Sequence, residues 1–435
     1  MTAAPPEPDP KAGAGPPLRI PDGPRHQPYP HAEIHPTDVL GSFFLCGLAF
    51  LLLAAIAGVI EAVEPWERGR WLALHLAFFG GVSQLILGAT QFFAGAFLAT
   101  DPPPRRQLRF QLVTWNLGTV LLAVFLPLDS GPGVALAVAL LAAGLLAWAA
   151  SLRSMKTRSL NRNPWATRWY EAAAVFFCLG IAAGGWLAEG SGWTHGYLTG
   201  AHMILNLGGW FGTTIVGTLH TFYPTLTRSR LRFPRLQPPA FWLWSAGIVT
   251  ASAGYAFDLA WLAGTGWLAL TAAACLLLAN VIACRVASGV KLTLAARLVG
   301  LAQAFLPAGL LLLAAATFAD GPVWSLAGET RAAAGTLLVA GWVGLTVIGS
   351  LLHLLVILVR ARDYRRPVPE IRPVSDRVLA GLSGLSAAGL AVSQLAGADT
   401  AVQAFRLLLL LAYLLLACRV AIYASGVLRH ARPGV

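Results

Sequence analysis

Charge is what this sequence has least of. Asp, Glu, Lys and Arg together make up 11% of its 435 residues, where a soluble globular chain carries about 25%. Motifs of soluble-type catalysis are also missing. There is no phosphate-binding glycine loop, no hydrolase nucleophile elbow and no H-E-x-x-H pair, which excludes the usual nucleotide, esterase and zinc-protease sites. The five cysteines, Cys46, Cys178, Cys275, Cys284 and Cys418, fall in five separate apolar runs with no C-x-x-C spacing. They read as small buried hydrophobes, and neither a disulfide framework nor a zinc site is indicated.

What the sequence has is apolar length. Hydrophobic residues are 57% of the chain and the mean hydropathy is +0.66. Apolar runs fall near 38–60, 70–99, 108–127, 131–152, 169–188, 195–225, 238–257, 259–284, 295–318, 330–359, 377–396 and 400–428. Each is long enough to cross a hydrocarbon core of roughly 30 Å as a helix. Helices are the expected spanning form because lipid offers backbone groups no partner, and the alternating pattern of an outer-membrane barrel is absent. The fold class expected is an all-α polytopic membrane protein with about 12 transmembrane helices.

The net charge of +12 does not point to nucleic acid, because no soluble segment carries a basic stripe with interleaved aromatics. The basic residues sit in alternate loops. One set holds Arg105/Arg106/Arg109, Arg153/Lys156/Arg158/Arg162/Arg168, Arg228/Arg230/Arg232/Arg235, Arg285/Lys291/Arg297, Arg360/Arg362/Arg365/Arg366 and Arg429/Arg432. The intervening loops hold Glu61/Glu64/Glu67, Asp129, Glu189, Asp258, Asp320/Glu329 and Asp399. By the positive-inside rule both termini are cytoplasmic and the protein is a multi-pass protein of the cell inner membrane, with the bilayer as its first partner. Residues 1–37 are rich in Pro, Gly and Ala with scattered charge. They read as a disordered cytoplasmic tail, with no cleavable signal. Its histidines, His26, His31 and His35, belong to a solvated segment.

A repeat of about 130 residues is visible within the runs. The second run carries Gly80-Gly81-Val82-Ser83 and Gly88, the sixth Gly209-Trp210-Phe211-Gly212 and Gly217, and the tenth Gly341-Trp342-Val343-Gly344 and Gly349. Cys284-Arg285-Val286-Ala287 matches Cys418-Arg419-Val420-Ala421 in the eighth and twelfth. These matches predict three four-helix repeats, at 38–168, 169–294 and 295–435. Small residues at such spacing let helices approach closely in lipid, so the glycine-bearing helices are expected innermost. Packing alone explains most of these glycines.

Ionisable residues within a span are costly and mark functional sites by default. Here they are histidines: His75 on the second helix, His202 and His220 on the sixth, His353 on the tenth. The other nine helices have none, apart from loop or tail residues such as His195 and His430. His202 and His220 are five turns apart, about 27 Å, and cannot share one metal. Helix arithmetic puts Asn206 and Thr213 near their stripe. The expectation is two layers, an outer pair His75/His202 and an inner pair His220/His353. Imidazole is a common metal ligand and a usual axial ligand of haem, so all four are candidate cofactor-binding residues, with His75 and His202 the candidate metal pair. The plain alternative for each is a ring donating to a backbone carbonyl or lying at headgroup level. With glycines aligned, His75 falls two residues from the repeat position of His202.

Twelve helices in three arcs, with histidines on helices two, six and ten, resemble the catalytic subunit of haem-copper oxidases and nitric oxide reductases. They are similar too to the NnrS-type membrane proteins associated with nitric oxide stress. The segment AHMILNLGGWFGTTIVGTLHTFYPTLTRSR carries the resemblance most directly. It implies that His75 occupies the helix-two position of a low-spin haem ligand and His202 a copper-ligand position on helix six. The seventh helix, around Ala240 to Phe257, has no histidine where the oxidases place a copper-binding pair, and the tenth has only His353, at the other end. A complete haem–copper catalytic centre is therefore not expected. What the resemblance leaves is a single haem or copper site serving electron transfer, metal or haem handling, or nitric oxide stress. Two other functions fit twelve helices: a transporter for a small molecule or metal, and a non-catalytic subunit of a membrane complex. Fifteen tryptophans suit interfacial belts or cofactor packing equally.

Overall fold

The computed structural model describes residues 35–159, 165–188, 190, 195–323, 328–362 and 373–428. Most of the Pro-rich tail and the C-terminal arginines Arg429 and Arg432 lie outside these residues, as do Arg162, Arg365 and Arg366. Among the described residues the protein is entirely helical.

Twelve long helices follow one another. They are α1 (Pro36–Val63), α2 (Gly69–Leu98), α3 (Arg105–Phe125), α4 (Gly131–Arg158), α5 (Trp165–Ala188) and α6 (195–226), then α7 (Gln237–Ala256), α8 (Ala260–Val286), α9 (Leu294–Asp320), α10 (329–362), α11 (Pro373–Leu395) and α12 (Asp399–Leu428). Ten of them are long and apolar enough to cross a membrane. The other two are α6 and α7, where Gly, Trp, Thr and Ser replace much of the aliphatic content.

The glycine-bearing helices α2 and α10 are among the most buried of these spans, and α12 is the least. Burial follows from the glycines. A Cβ added at Gly80 would stand 2.7 Å from the Phe50 ring of α1, one at Gly209 would stand 2.6 Å from Phe176 of α5, and one at Gly341 would stand 2.8 Å from Phe305 of α9. Three phenylalanines thus rest on three glycine surfaces, each on the helix that precedes the inner one. In lipid such close packing replaces the hydrophobic driving force.

Each inner helix also widens into a π-helical segment just before or within its glycine motif: Leu76–Val82, Ile204–Gly212 and Thr336–Gly344. The wider turn disturbs the i→i−4 ladder and leaves carbonyls to be satisfied from outside. Trp115 of α3 donates its indole N–H to the Phe79 carbonyl at 3.2 Å. Trp244 of α7 donates to the Gly208 carbonyl at 3.3 Å, and Tyr413 of α12 donates its hydroxyl to the Ala340 carbonyl at 2.5 Å. Replacing Trp115 with phenylalanine keeps the ring packing on Phe79 and strands that carbonyl. The expected loss is about 1–3 kcal/mol, read as a lowered melting temperature of the detergent-solubilised protein.

Polar residues inside the bundle are mostly paired. Gln91 of α2 donates to Gln111 of α3 (3.0 Å), which donates to Ser151 of α4 (2.7 Å). Gln303 of α9 bridges Thr346 and Trp342 of α10. Arg331, in the first turn of α10, pairs with Asp320 at 2.9 Å and caps carbonyls at the end of α9.

Candidate functional site

His75 and His202 lie one turn or less before the π segments of α2 and α6. The His75 ring stacks on Trp71, centroids 4.1 Å apart, and its Nδ1 lies 2.8 Å from the Trp71 carbonyl. The His202 Nδ1 lies 2.9 Å from the carbonyl of Gly180 on α5. A carbonyl only accepts, so in each ring Nδ1 carries the proton and donates it. The neutral ring then presents Nε2 as a free lone pair. Anchoring one ring nitrogen on a carbonyl fixes tautomer and orientation, and is the usual outer partner of a metal-bound histidine.

The seat of His202 is cut into α5. A Cβ at Gly184 would stand 2.8 Å from the imidazole Cε1, and one at Gly180 would stand 2.8 Å from the Asn206 amide. Two glycines one turn apart on α5 therefore receive His202 and Asn206, one turn apart on α6. Asn206 turns back to donate to the His202 carbonyl at 2.6 Å. Thr213 is placed differently from Asn206, accepting from the Trp244 indole at 3.0 Å.

One to two turns further along, an aromatic layer closes the bundle. Phe177 stacks on Trp210 at 4.4 Å, Phe79 on Trp115 at 5.3 Å, and Phe78 meets Phe211 edge-on at 5.4 Å. Trp210, Phe177 and Trp115 are fully buried.

The two remaining histidines lie beyond this layer. His220 is 1% exposed, packs 5.8 Å from the Trp169 ring of α5, and neither ring nitrogen has a hydrogen-bond partner among the described residues. His353 is half-buried and meets Phe222 edge-on at 5.5 Å. Positions 220 and 222 point about 200° apart on α6. His220 therefore turns to α5 while Phe222 turns to His353 on α10, and the inner pair is not brought ring to ring. His202 and His220 both face α5, at its opposite ends.

Among the described residues no group of three or more His, Cys, Asp or Glu side chains is placed to hold a metal ion. Were a haem iron or a copper ion bound here, His75 and His202 would each offer it one imidazole nitrogen.

A separate cavity of about 80 Å³ lies between α2, α6 and α10 on the arginine-rich side of the aromatic layer. Leu85, Phe93 and Phe222 line it together with Thr214, Thr346 and Ser350. The Thr214 hydroxyl is buried and has no hydrogen-bond partner among the described residues.

Trp71, Gly180 and Gly184 were not anticipated from sequence. The Trp71–His75 spacing of one turn is a legible signal; the Gly180 carbonyl is not, because any residue supplies one.

No family model and no curated protein matches this chain. Its fold and composition define it as a polytopic helical membrane protein.

Proposed function

We propose that the protein holds a haem or a copper ion between His75 and His202, in electron transfer, metal or haem handling, or the response to nitric oxide, without a complete oxidase centre. A single observation carries the reading. Two imidazoles on neighbouring inner helices each spend Nδ1 on a backbone carbonyl and leave Nε2 uncommitted. When bound, iron or copper supplies one-electron redox chemistry at this place. The chain's own residues hold and orient: Trp71 and Gly180 set the tautomers, Gly184 gives His202 room, and the aromatic layer excludes water. The test is an oxidised and a reduced visible spectrum of the purified protein with metal analysis. A Soret band or stoichiometric copper is expected; the absence of both would overturn the reading.

The architecture that accompanies it is of haem-copper-oxidase-like type, with α6 and α7 crossing the membrane as the other ten do. It comprises three four-helix units, 38–168, 169–294 and 295–435, with both termini cytoplasmic in the inner membrane. In support, the Phe–Gly pairs, the π segments and the carbonyls capped by an aromatic side chain (Phe79, Gly208 and Ala340) recur at intervals of roughly 130 residues, the glycines, π segments and carbonyls on the second helix of each unit. The donors Trp115 and Trp244 share that interval, whereas Tyr413 comes from the fourth helix of its unit. Reporter fusions at either terminus are expected to be active only on the cytoplasmic side.

A second reading, a transporter for a small molecule, is favoured by the central cavity and its uncommitted Thr214 hydroxyl. Uptake by proteoliposomes that falls in Thr214→Val, with no haem or copper in the wild type, would establish it over the first.

A further inference from the structure

The loop between α6 and α7 is strapped to α8 by a ladder of three polar side chains. Asn280 accepts from the Phe233 amide at 2.9 Å and donates to the Phe233 carbonyl at 3.1 Å. One turn on, the Cys284 thiol donates to the Arg230 carbonyl at 3.5 Å. One turn further, Ser288 donates to the Thr227 carbonyl at 2.9 Å. Residues 280, 284 and 288 thus hold backbone positions 233, 230 and 227. Asn280 and Cys284 are buried, so the loop backbone is fixed from beneath and its side chains are turned outward.

What it presents is positive charge. Arg228, Arg230, Arg232 and Arg235 are all exposed, and neither Arg230 nor Arg232 joins an ion pair among the described residues. No acid occurs in 227–237 or in 285–297, the two connections that meet here. Directly against Arg230 and Arg232 lies a groove of about 780 Å³ whose wall is Ala279, Ile282, Ala283 and Val286 of α8. Ile282 is 53% and Val286 81% exposed. This is the outward face of a helix long and apolar enough to cross the bilayer.

An apolar wall on the outward face of a spanning helix, ending in two guanidinium groups that have no ion-pair partner among the described residues, matches one kind of molecule. We propose that this groove is a binding site for a single anionic phospholipid, its phosphate held by Arg230 and Arg232 and an acyl chain lying along α8. The guanidinium fork pairs with phosphate oxygens in bidentate fashion, and basic pockets at the headgroup level of helical bundles take anionic headgroups for that reason. The ladder matters because it holds both arginines in place before the lipid arrives, so little loop ordering opposes binding. The site is independent of the histidine pair and stands whether or not a haem or copper is held there.

The test is native mass spectrometry of the full chain, delipidated in detergent and titrated with phosphatidylglycerol or phosphatidylcholine of identical acyl chains. One saturable phosphatidylglycerol is expected, with phosphatidylcholine at least about tenfold weaker. Arg230→Gln with Arg232→Gln is expected to remove the preference, while Arg105→Gln with Arg106→Gln, which takes two charges from another loop, leaves it. Val286→Trp, which fills the wall and keeps both arginines, is expected to weaken binding as well. Arg230 and Arg232 make no ion pair among the described residues, so the melting temperature of Arg230→Gln/Arg232→Gln without lipid is expected to stay unchanged. Equal retention of the two lipids, or a preference that survives Arg230→Gln/Arg232→Gln, would overturn the proposal. So would inorganic phosphate displacing the lipid at comparable concentration, which would identify a soluble-anion site instead.

Discussion

Replacing His202 with alanine is expected to abolish the haem or copper signature of the purified protein while leaving a folded bundle. The imidazole is one of the two ligands of the proposed site, and among the described residues no third His, Cys, Asp or Glu side chain is grouped with them to substitute for it. Removing an outer partner of a metal ligand already lowers affinity by about 10–100-fold, and removal of the ligand itself is expected to exceed that. His75→Ala is expected to have the same effect. His353→Ala is the matched control, since His353 lies beyond the aromatic layer against Phe222. Gly184→Leu makes the argument sharper because it keeps the imidazole. A Cβ there already stands 2.8 Å from the His202 ring, so the ring must leave its seat beside Gly180. Bound metal measured by mass spectrometry, alongside the melting curve, separates loss of the ligand from loss of the fold. Full metal content in His202→Ala would end the proposal.

The second large effect is on the fold. Gly266→Leu is expected to prevent recovery of folded protein from the membrane. A Cβ at Gly266 would stand 2.4 Å from the Ala251 nitrogen and 2.7 Å from its Cα, and one at Gly254 would stand 2.2 Å from the Ala263 nitrogen. Helices α7 and α8 therefore meet backbone to backbone at two places. Where the obstructing atom is the end of a side chain, rotation relieves the contact; here the obstruction is main chain and the helices must separate. Overpacking of this kind costs about 3 kcal/mol or more, a large part of the stability of a folded domain. The measure is the yield of monodisperse protein by fluorescence-detected size exclusion. Gly80→Ala is the informative comparison, because its obstruction is the Phe50 ring; it is expected to remain foldable. A wild-type profile for Gly266→Leu would refute the close approach.

How much of this was readable beforehand depends on what each feature is made of. The twelve helices were readable because a spanning segment is written in composition alone. Two of them, α6 and α7, dilute their apolar content with Gly, Trp, Thr and Ser and fall outside the ten that are apolar enough to cross a membrane. The π segments were not readable. A helix that is apolar on every side carries no polar stripe from which a change of turn width could be seen. Their aromatic donors, Trp115, Trp244 and Tyr413, looked like three of many membrane aromatics until each was seen on a freed carbonyl. The four histidines were found because they are rare in such a chain. Their unequal surroundings were not, since Gly180 acts through its carbonyl and Gly184 through the absence of a side chain. Asn280, Cys284 and Ser288 are spaced by one turn, a pattern legible in hindsight, but nothing in the sequence says that a loop lies across them.

The aromatic tethers on the π segments constrain how this molecule can move. Each inner helix is fastened at its widened turn to a peripheral helix, α2 to α3, α6 to α7 and α10 to α12. Sliding or rotating one inner helix alone would strip a donor from a carbonyl that has no water to replace it. The low-cost displacement carries each tethered pair together, so any widening of the central seam proceeds by these three pairs shifting as units. A crosslink from α2 to α3 should then leave that motion intact, whereas one joining α2 to α6 should freeze it.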